Sequence, residues 1–318
     1  MLLVTSAIGC EQASSKLDGM KAEMPSAENS AAVAVSTKAD HSGDVETRLR
    51  RLEDHNAKYA EALDFLGKVY GQQKQQQQQQ AAEEHDPNAM FAVQVAEDIK
   101  FGKVDGPASA PVTVVKAFDF ACPYCERTSG IMDELVKEYG GKVRVVYKDM
   151  VVHPQVATAA HMAACAGAKQ GKYKEMKNAI WAKGFLAYSQ SRDPSKMGEE
   201  NLKAIAKEVG LDMAKLEADM KGAECQAMVQ GDMAELNKFK VTGTPGFFIN
   251  GKFIGGALPK EGFKQIIDEQ LKIAEASGVS GADYYEKVVL AKGEKQFKSA
   301  AGGGAKAGGA PGHEGHGH

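Results

Sequence analysis

The chain has 318 residues, room for one large domain with appendages or for two domains. Its formal net charge of −3 leaves no electrostatic case for nucleic-acid binding. Hydrophobic residues make up 43% of it, but the stretches before Pro87 and after Ala300 are poor in them, so the packed core is expected between.

The N-terminus, Met1-Leu2-Leu3-Val4-Thr5-Ser6-Ala7-Ile8-Gly9-Cys10-Glu11, is a short apolar run that ends in small residues and a cysteine. It resembles the end of a bacterial lipoprotein signal, in which Cys10 would carry the lipid, and it is too short to span a bilayer as a helix. No basic residue precedes the run and Ala7 stands where Leu is usual, which keeps a meaningless tail on a cytosolic protein as the alternative. Residues 11–43 are rich in Ser, Ala, Glu and Lys without an apolar period and read as a flexible tether.

Over residues 44–71 the pattern changes. Val45, Leu49, Leu52, Asn56, Tyr59, Leu63, Leu66 and Tyr70 follow an unbroken alternation of four- and three-residue steps, the seam of a coiled coil. Asn56 falls at an a position, where a buried Asn favours a two-stranded, in-register pair, so a homodimer through residues 45–70 is expected. A single amphipathic helix lying on the globular domain is the alternative. Residues 72–86 read as a Gln-rich linker, and residues 300–318 as a disordered Gly- and His-bearing tail. Its His313, His316 and His318 lack a fixed geometry for metal, so no metal site is assigned.

The segment from 87 to 299 carries a plan. A helical lead-in from Pro87 to Ile99 and a turn at Asp105-Gly106-Pro107 precede an apolar strand, Val112 to Phe120. Then come Cys122-Pro123-Tyr124-Cys125, a helix to Tyr139 and a strand from Lys142 to Met150. Residues 153–240 are rich in Ala, Met, Lys and Glu and read as several helices, with breaks near Gly184, Asp193-Pro194 and Gly210. Two short apolar strands flank Asn250-Gly251, a favoured type I′ hairpin pair, and a last helix runs from Pro259 to Ala276.

Two thiols one turn apart, where a strand gives way to a helix, suit a cycle between dithiol and disulfide. Cys122 at the helix N-terminus meets unpaired amides and the positive end of the helix dipole, so its pKa should fall. Pro123 suits the first helical position because it has no N–H to leave unpaired. Cys125, one turn in, is the resolving thiol. A structural disulfide or half of a zinc site is the competing reading of the pair. Asp119, three residues before Cys122, either takes up the proton of Cys125 or caps the helix. His153, before Pro154, reads as a structural hydrogen-bonding group.

The order strand, helix, strand, helical block, hairpin, helix resembles the α/β thioredoxin fold with a large helical insertion. Phe118-Asp119-Phe120-Ala121-Cys122-Pro123-Tyr124-Cys125, Gly243-Thr244-Pro245-Gly246-Phe247-Phe248-Ile249-Asn250-Gly251 and the insertion segment Ala166-Gly167-Ala168-Lys169-Gln170-Gly171-Lys172-Tyr173 are together similar to the DsbA family of thiol–disulfide oxidoreductases. Glutaredoxins share Cys-Pro-Tyr-Cys but lack room for so long an insertion. The resemblance implies that Pro245 is the family's cis-proline, facing the dithiol, with the Thr244 backbone pairing with an extended substrate. It also implies a structural disulfide between Cys165 and Cys225, with two free buried thiols as the alternative. Tyr124 stands where the strongly oxidising members carry His, so a less oxidising protein is expected. The exchange chemistry calls for no cofactor.

The function expected is thus exchange of the Cys122/Cys125 disulfide with cysteines of exported proteins. The setting would be the periplasmic side of a bacterial envelope, with a membrane redox partner and a lipid anchor. The resemblance leans towards an oxidase, whereas the expected dimer and Thr244 lean towards an isomerase or reductase. A lipid-tethered, non-enzymatic peptide-binding module is the alternative, and a metal-delivery role for the His-bearing tail is a third.

Overall fold

The computed structural model describes residues 41–301; Cys10, residues 11–40 of the tether, and His313, His316 and His318 lie outside the described residues. The chain divides into two compact units at Gly71 and Gln72.

One helix, α1 (Val45–Glu83), opens the described chain. Asp44 Oδ1 accepts the Thr47 N–H at 2.8 Å and so satisfies one amide of its first turn. In the first unit the seam residues Val45, Leu49, Leu52, Leu63, Leu66 and Tyr70 stand exposed along this helix. Gln72–Gln80, read from the sequence as a linker, is helical and continues α1. The physical reason is propensity: Gln loses little rotamer freedom in a helix, and no Gly, Pro or β-branched residue interrupts positions 72–83.

In the second unit a five-stranded sheet runs in the order β1 (Val104–Asp105), β3 (Val143–Asp149), β2 (Val112–Phe118), β4 (Gly246–Ile249), β5 (Lys252–Gly255). β2 and β3 are parallel and the other pairs antiparallel. β2 and β3 are buried along their whole length, as strands covered on both faces must be. The connection from β2 to β3 is α3 (Pro123–Glu138). Between β3 and β4 lies the insertion: α4 (Pro154–Lys169), α5 (Tyr173–Ala179), α6 (Leu186–Ser191), α7 (Glu199–Val209), α8 (Met213–Met220) and α9 (Ala223–Lys238). The hairpin turn has positive φ at both Asn250 (44°) and Gly251 (86°), as a type I′ turn requires. The last long helix is α10 (Lys260–Ala276).

The sheet carries a core on each face. One holds Val114, Phe118, Met132, Leu135, Trp181 and Phe247; the other holds Phe91, Val115, Phe239, Phe248 and Tyr285. The expected helical lead-in is mostly irregular, and only Ala96–Lys100 (α2) is helical. Residues Phe91, Val93 and Val95 alternate inward with period two and bury themselves in the second core, which a helix could not do. Nor does the chain break at Gly184. A π-helical stretch, Ile180–Phe185, joins α5 to α6, and Gly184 permits close approach, since a Cβ there would stand 3.2 Å from Met197 Sδ. Residues 281–301 also fold onto the second core, with Tyr285 donating to the Val93 carbonyl at 2.8 Å.

Candidate active site

Cys122 is the N-cap residue of α3, with extended backbone (φ −92°, ψ 118°), and Pro123 takes the first helical position. The dithiol therefore sits at the positive end of a 16-residue helix. Both cysteines are free thiols. Cys125 is fully buried and Cys122 is 4% exposed, beneath an exposed Tyr124 whose ring the Arg127 guanidinium approaches to 5.4 Å. The loop before β4 returns to this point: Cys122 Sγ lies 3.4 Å from the Thr244 carbonyl oxygen, and the Thr244–Pro245 bond is cis.

The two sulfurs are electrostatically unlike. The Cys125 thiol donates to the Cys122 sulfur, and this bond is the largest cause that lowers the Cys122 pKa, to about 6. The backbone amides of Cys125 and Tyr124 act in the same sense, and burial opposes them. Burial pushes Cys125 the other way, well above the ordinary thiol range, and the bond it gives to Cys122 adds to that. At neutral pH the outer sulfur is a thiolate and the inner one a protonated donor to it.

Beneath the pair lies a residue that reading the sequence missed. Lys116, on β2, is fully buried and donates to the Cys125 carbonyl oxygen at 2.9 Å. Burial lowers its pKa to about 7, with the neighbouring Lys177 adding to the shift. The signal was present: a lysine in an apolar strand, on the same face as Val112, Val114 and Phe118.

Asp119 has no exposure, and both carboxylate oxygens are engaged. Oδ1 accepts the Ala121 N–H at 2.6 Å; Oδ2 accepts the Val152 and His153 N–H groups at 2.6 and 2.7 Å, with His153 Nδ1 at 3.2 Å. It thereby ties the loop before the dithiol to the loop after β3. Its bonds go to these loops and not to the first amides of α3, which has no side-chain cap.

A second buried polar system supports the loop from below. Lys103 Nζ lies 2.8 Å from Asp149 and 3.1 Å from Asp98 and also pairs with Asp232; Lys148 Nζ donates to Asp98 at 2.6 Å and Asp232 at 2.8 Å. His161 joins this cluster to the dithiol loop: its Nε2 accepts the Phe120 N–H at 3.3 Å while its Nδ1 meets Asp149 at 2.6 Å. Because an N–H donates to Nε2, the ring's proton is on Nδ1.

Cys165 on α4 and Cys225 on α9 are joined as a disulfide, with Cα atoms 5.7 Å apart, which closes most of the insertion. Among the described residues no three or more His, Cys, Asp or Glu are grouped to hold a metal, and no helix is long and apolar enough to cross a membrane.

Residues 100–269, just over half of the chain, match the family model described as thioredoxin. The chain is 30% identical over 192 residues to the probable disulfide bond formation protein D of Bacillus anthracis, covering 58% of this chain and 82% of that protein. It is 35% identical over 155 residues to the Na(+)/H(+) antiporter NhaA 3 of Salinispora tropica, covering 47% of this chain; the chain spans only 22% of that relative's length. Among solved structures, a thioredoxin-like oxidoreductase from Silicibacter pomeroyi DSS-3 is 30% identical, with a TM-score of 0.44, and the match covers 53% of this chain and 91% of that one.

Proposed function

Because the chain belongs to the thioredoxin family, we propose that it is a DsbA-like thiol–disulfide oxidoreductase whose Cys122/Cys125 disulfide is exchanged with the cysteines of exported proteins. The observation that carries this reading is the asymmetry of the two sulfurs: a Cys122 pKa of about 6 above a buried Cys125 held protonated. Cys122 is a thiolate at neutral pH and the better leaving group, so it forms the mixed disulfide. Cys125, one turn along α3, completes the swap. The Thr244 carbonyl beside Cys122 and the turn at Pro245 offer backbone to an extended substrate segment, which would add as a strand edge.

The oxidising direction is the one favoured. Stabilising the Cys122 thiolate stabilises the reduced form, and that makes the disulfide the stronger oxidant. An envelope setting fits the Cys165–Cys225 disulfide, since such bonds persist in oxidising compartments. A membrane redox partner would re-form the Cys122/Cys125 disulfide after each turnover, and a lipid on Cys10 would tether the protein. The exposed seam of α1, with Asn56 among apolar residues at coiled-coil spacing, supports pairing with a second copy.

The test uses two variants. Cys125→Ala is expected to accumulate a mixed disulfide between Cys122 and a cysteine peptide, visible on a non-reducing gel and released by dithiothreitol. Cys122→Ala is expected to lose both insulin reduction and peptide oxidation. Full activity in Cys122→Ala would sink the enzymatic reading and leave a peptide-binding module.

A further inference from the structure

Resting on the exchange reading above, we propose that the client segment next to the cysteine joined to Cys122 lies as an added strand on the free edge of β5 and places a lysine or arginine side chain against Glu83 and Glu84.

A cavity of about 590 Å³ adjoins the cis-proline loop, a volume in the range of ligand sites. Three pieces of the second unit line it: the loop at Thr244 and Pro245, Phe253 and Gly255 of β5, and residues 83–87 at the end of α1. The first piece carries the carbonyl beside Cys122 Sγ, so a polypeptide held there enters the cavity. The third lies before residues 100–269, so this wall is not part of the matched thioredoxin domain.

β5 is the outer strand of the sheet, with β4 on one side only. The hairpin register fixes which groups its other edge presents. Ile249 and Lys252 close the two-residue turn; such a pair exchanges hydrogen bonds, and so does every second pair beyond it. Phe247 with Ile254 is the next such pair, and the Gly256 N–H continues the alternation by bonding the Pro245 carbonyl at 2.9 Å. The N–H and C=O groups of Phe253 and Gly255 therefore point away from β4, and among the described residues no other group bonds them. An extended peptide can pair with both, and Gly255 has no side chain to obstruct it.

The charge of the cavity sets which peptide fits. Glu83 is the last residue of α1, whose final turn holds no basic residue, so its carboxylate adds to the negative end of the helix dipole. Glu83 and Glu84 are both exposed, and among the described residues neither is in an ion pair: Lys298 pairs with Asp86 and Glu294, and the Lys240 ammonium lies 4.2 Å from the centre of the Phe297 ring. Burial lowers the His85 pKa, so that ring adds no positive charge at neutral pH. The wall is held in place. The His85 ring stacks on Phe253 with centres 3.7 Å apart, its Nε2 lies 2.6 Å from the Phe239 carbonyl oxygen, and the backbones of Glu84 and Asp86 bond those of Ala300 and Lys298. Two uncompensated carboxylates beside a free strand edge suit a cation on the bound peptide, and Pro87 and Phe253 offer its aliphatic stem an apolar surface.

Reduced full-length protein is mixed with single-cysteine peptides activated as mixed disulfides with thionitrobenzoate. Cys122 attacks the peptide sulfur, the bond to thionitrobenzoate breaks, and the coloured thiolate leaves with the bonding pair, so colour reports the second-order rate of capture on Cys122. The peptides carry Lys or Glu in turn at each position flanking the cysteine. On one side of the cysteine, at alternate positions, Lys should react about tenfold faster than Glu at low ionic strength. In the Glu83→Gln/Glu84→Gln double variant that ratio should fall to about twofold or less, and about 0.5 M NaCl should lower it in the wild type as well. A wild-type ratio below about twofold at every position, or one that persists in the double variant, overturns the proposal. A low ratio accompanied by equal quickening of Lys and Glu peptides on deletion of residues 302–318 gives the cavity to the chain's own C-terminal segment and overturns it too. Failure of every peptide to release thionitrobenzoate at pH 7 would instead refute the exchange reading itself.

Discussion

Lys103 and Lys116 are both fully buried lysines of the same domain, and their surroundings give them opposite characters. Lys103 Nζ is surrounded by Asp98, Asp149 and Asp232, and these carboxylates outweigh burial and raise its pKa well above the ordinary lysine value. Lys116 has only a backbone carbonyl, so burial prevails and its pKa falls to about 7. A buried lysine is thus a fixed structural cation where carboxylates compensate it, and a proton-exchanging group where they do not. The first kind supports the dithiol loop through Asp149, His161 and the Phe120 amide; the second stands directly under the resolving cysteine.

Three measurements test this contrast in order of expected size. Removing the compensated cation with Lys103→Met leaves three buried carboxylates without their central partner. Urea unfolding should register a loss of about 3–5 kcal/mol, and a loss under about 1 kcal/mol would mean the cluster is not structural. Replacing Cys165 and Cys225 together by Ala should cost about 2–4 kcal/mol by the same assay, through the freed insertion. Exchange by Cys122 should persist in the folded fraction, because the disulfide joins α4 and α9 while the dithiol is carried by α3.

The smallest effect is the most diagnostic. At pH 10, where the lysine is neutral in the folded protein at little cost, Lys116→Met should change stability by less than about 1 kcal/mol, with Thr128 Oγ1 still donating to the Cys125 carbonyl, whereas at pH 7 the variant should be the more stable of the two. The pH dependence should differ in sign between the two lysines. For Lys116 the folded pKa lies below the unfolded value of 10.5, so the unfolded chain binds more protons between about 7 and 10.5 and stability rises with pH across that window. For Lys103 the folded pKa is raised, so its contribution is fully present below 10.5 and is lost only as pH rises through the higher folded value. Unfolding of the oxidised protein, which has no thiolate to contribute, should therefore show a rise from pH 7 to 10 that Lys116→Met lacks. An identical slope in both proteins would remove the distinction between the lysines.

Much of this was legible in the sequence because it rests on local rules. The strand at Val112, the helix that starts at Pro123, the hairpin at Asn250-Gly251 and the extent of the insertion follow from apolar period, Pro placement and turn chemistry acting over a few residues. Expectation and structure part where propensity overrides composition or where distant partners decide. The Gln tract has the composition of a linker but the propensity of a helix, and residues 87–95 are not helical because Phe91, Val93 and Val95 alternate into the core. The segment beyond Gly281 gave no periodic signal and is held by contacts with Val93 and with the segment around Phe91.

The dithiol, its position at the start of a helix and the order of elements around it are readable along the chain, since four adjacent residues and their flanks encode them. Which charges lie beneath that dithiol is set by packing between distant segments. Lys116 and Asp119 both precede Cys122 in a short stretch, yet one meets the Cys125 carbonyl and the other meets Val152 and His153. The side-chain directions, and the burial that shifts a lysine pKa, are set by β3, α3 and the insertion closing over β2, and no pattern along the chain carries that information.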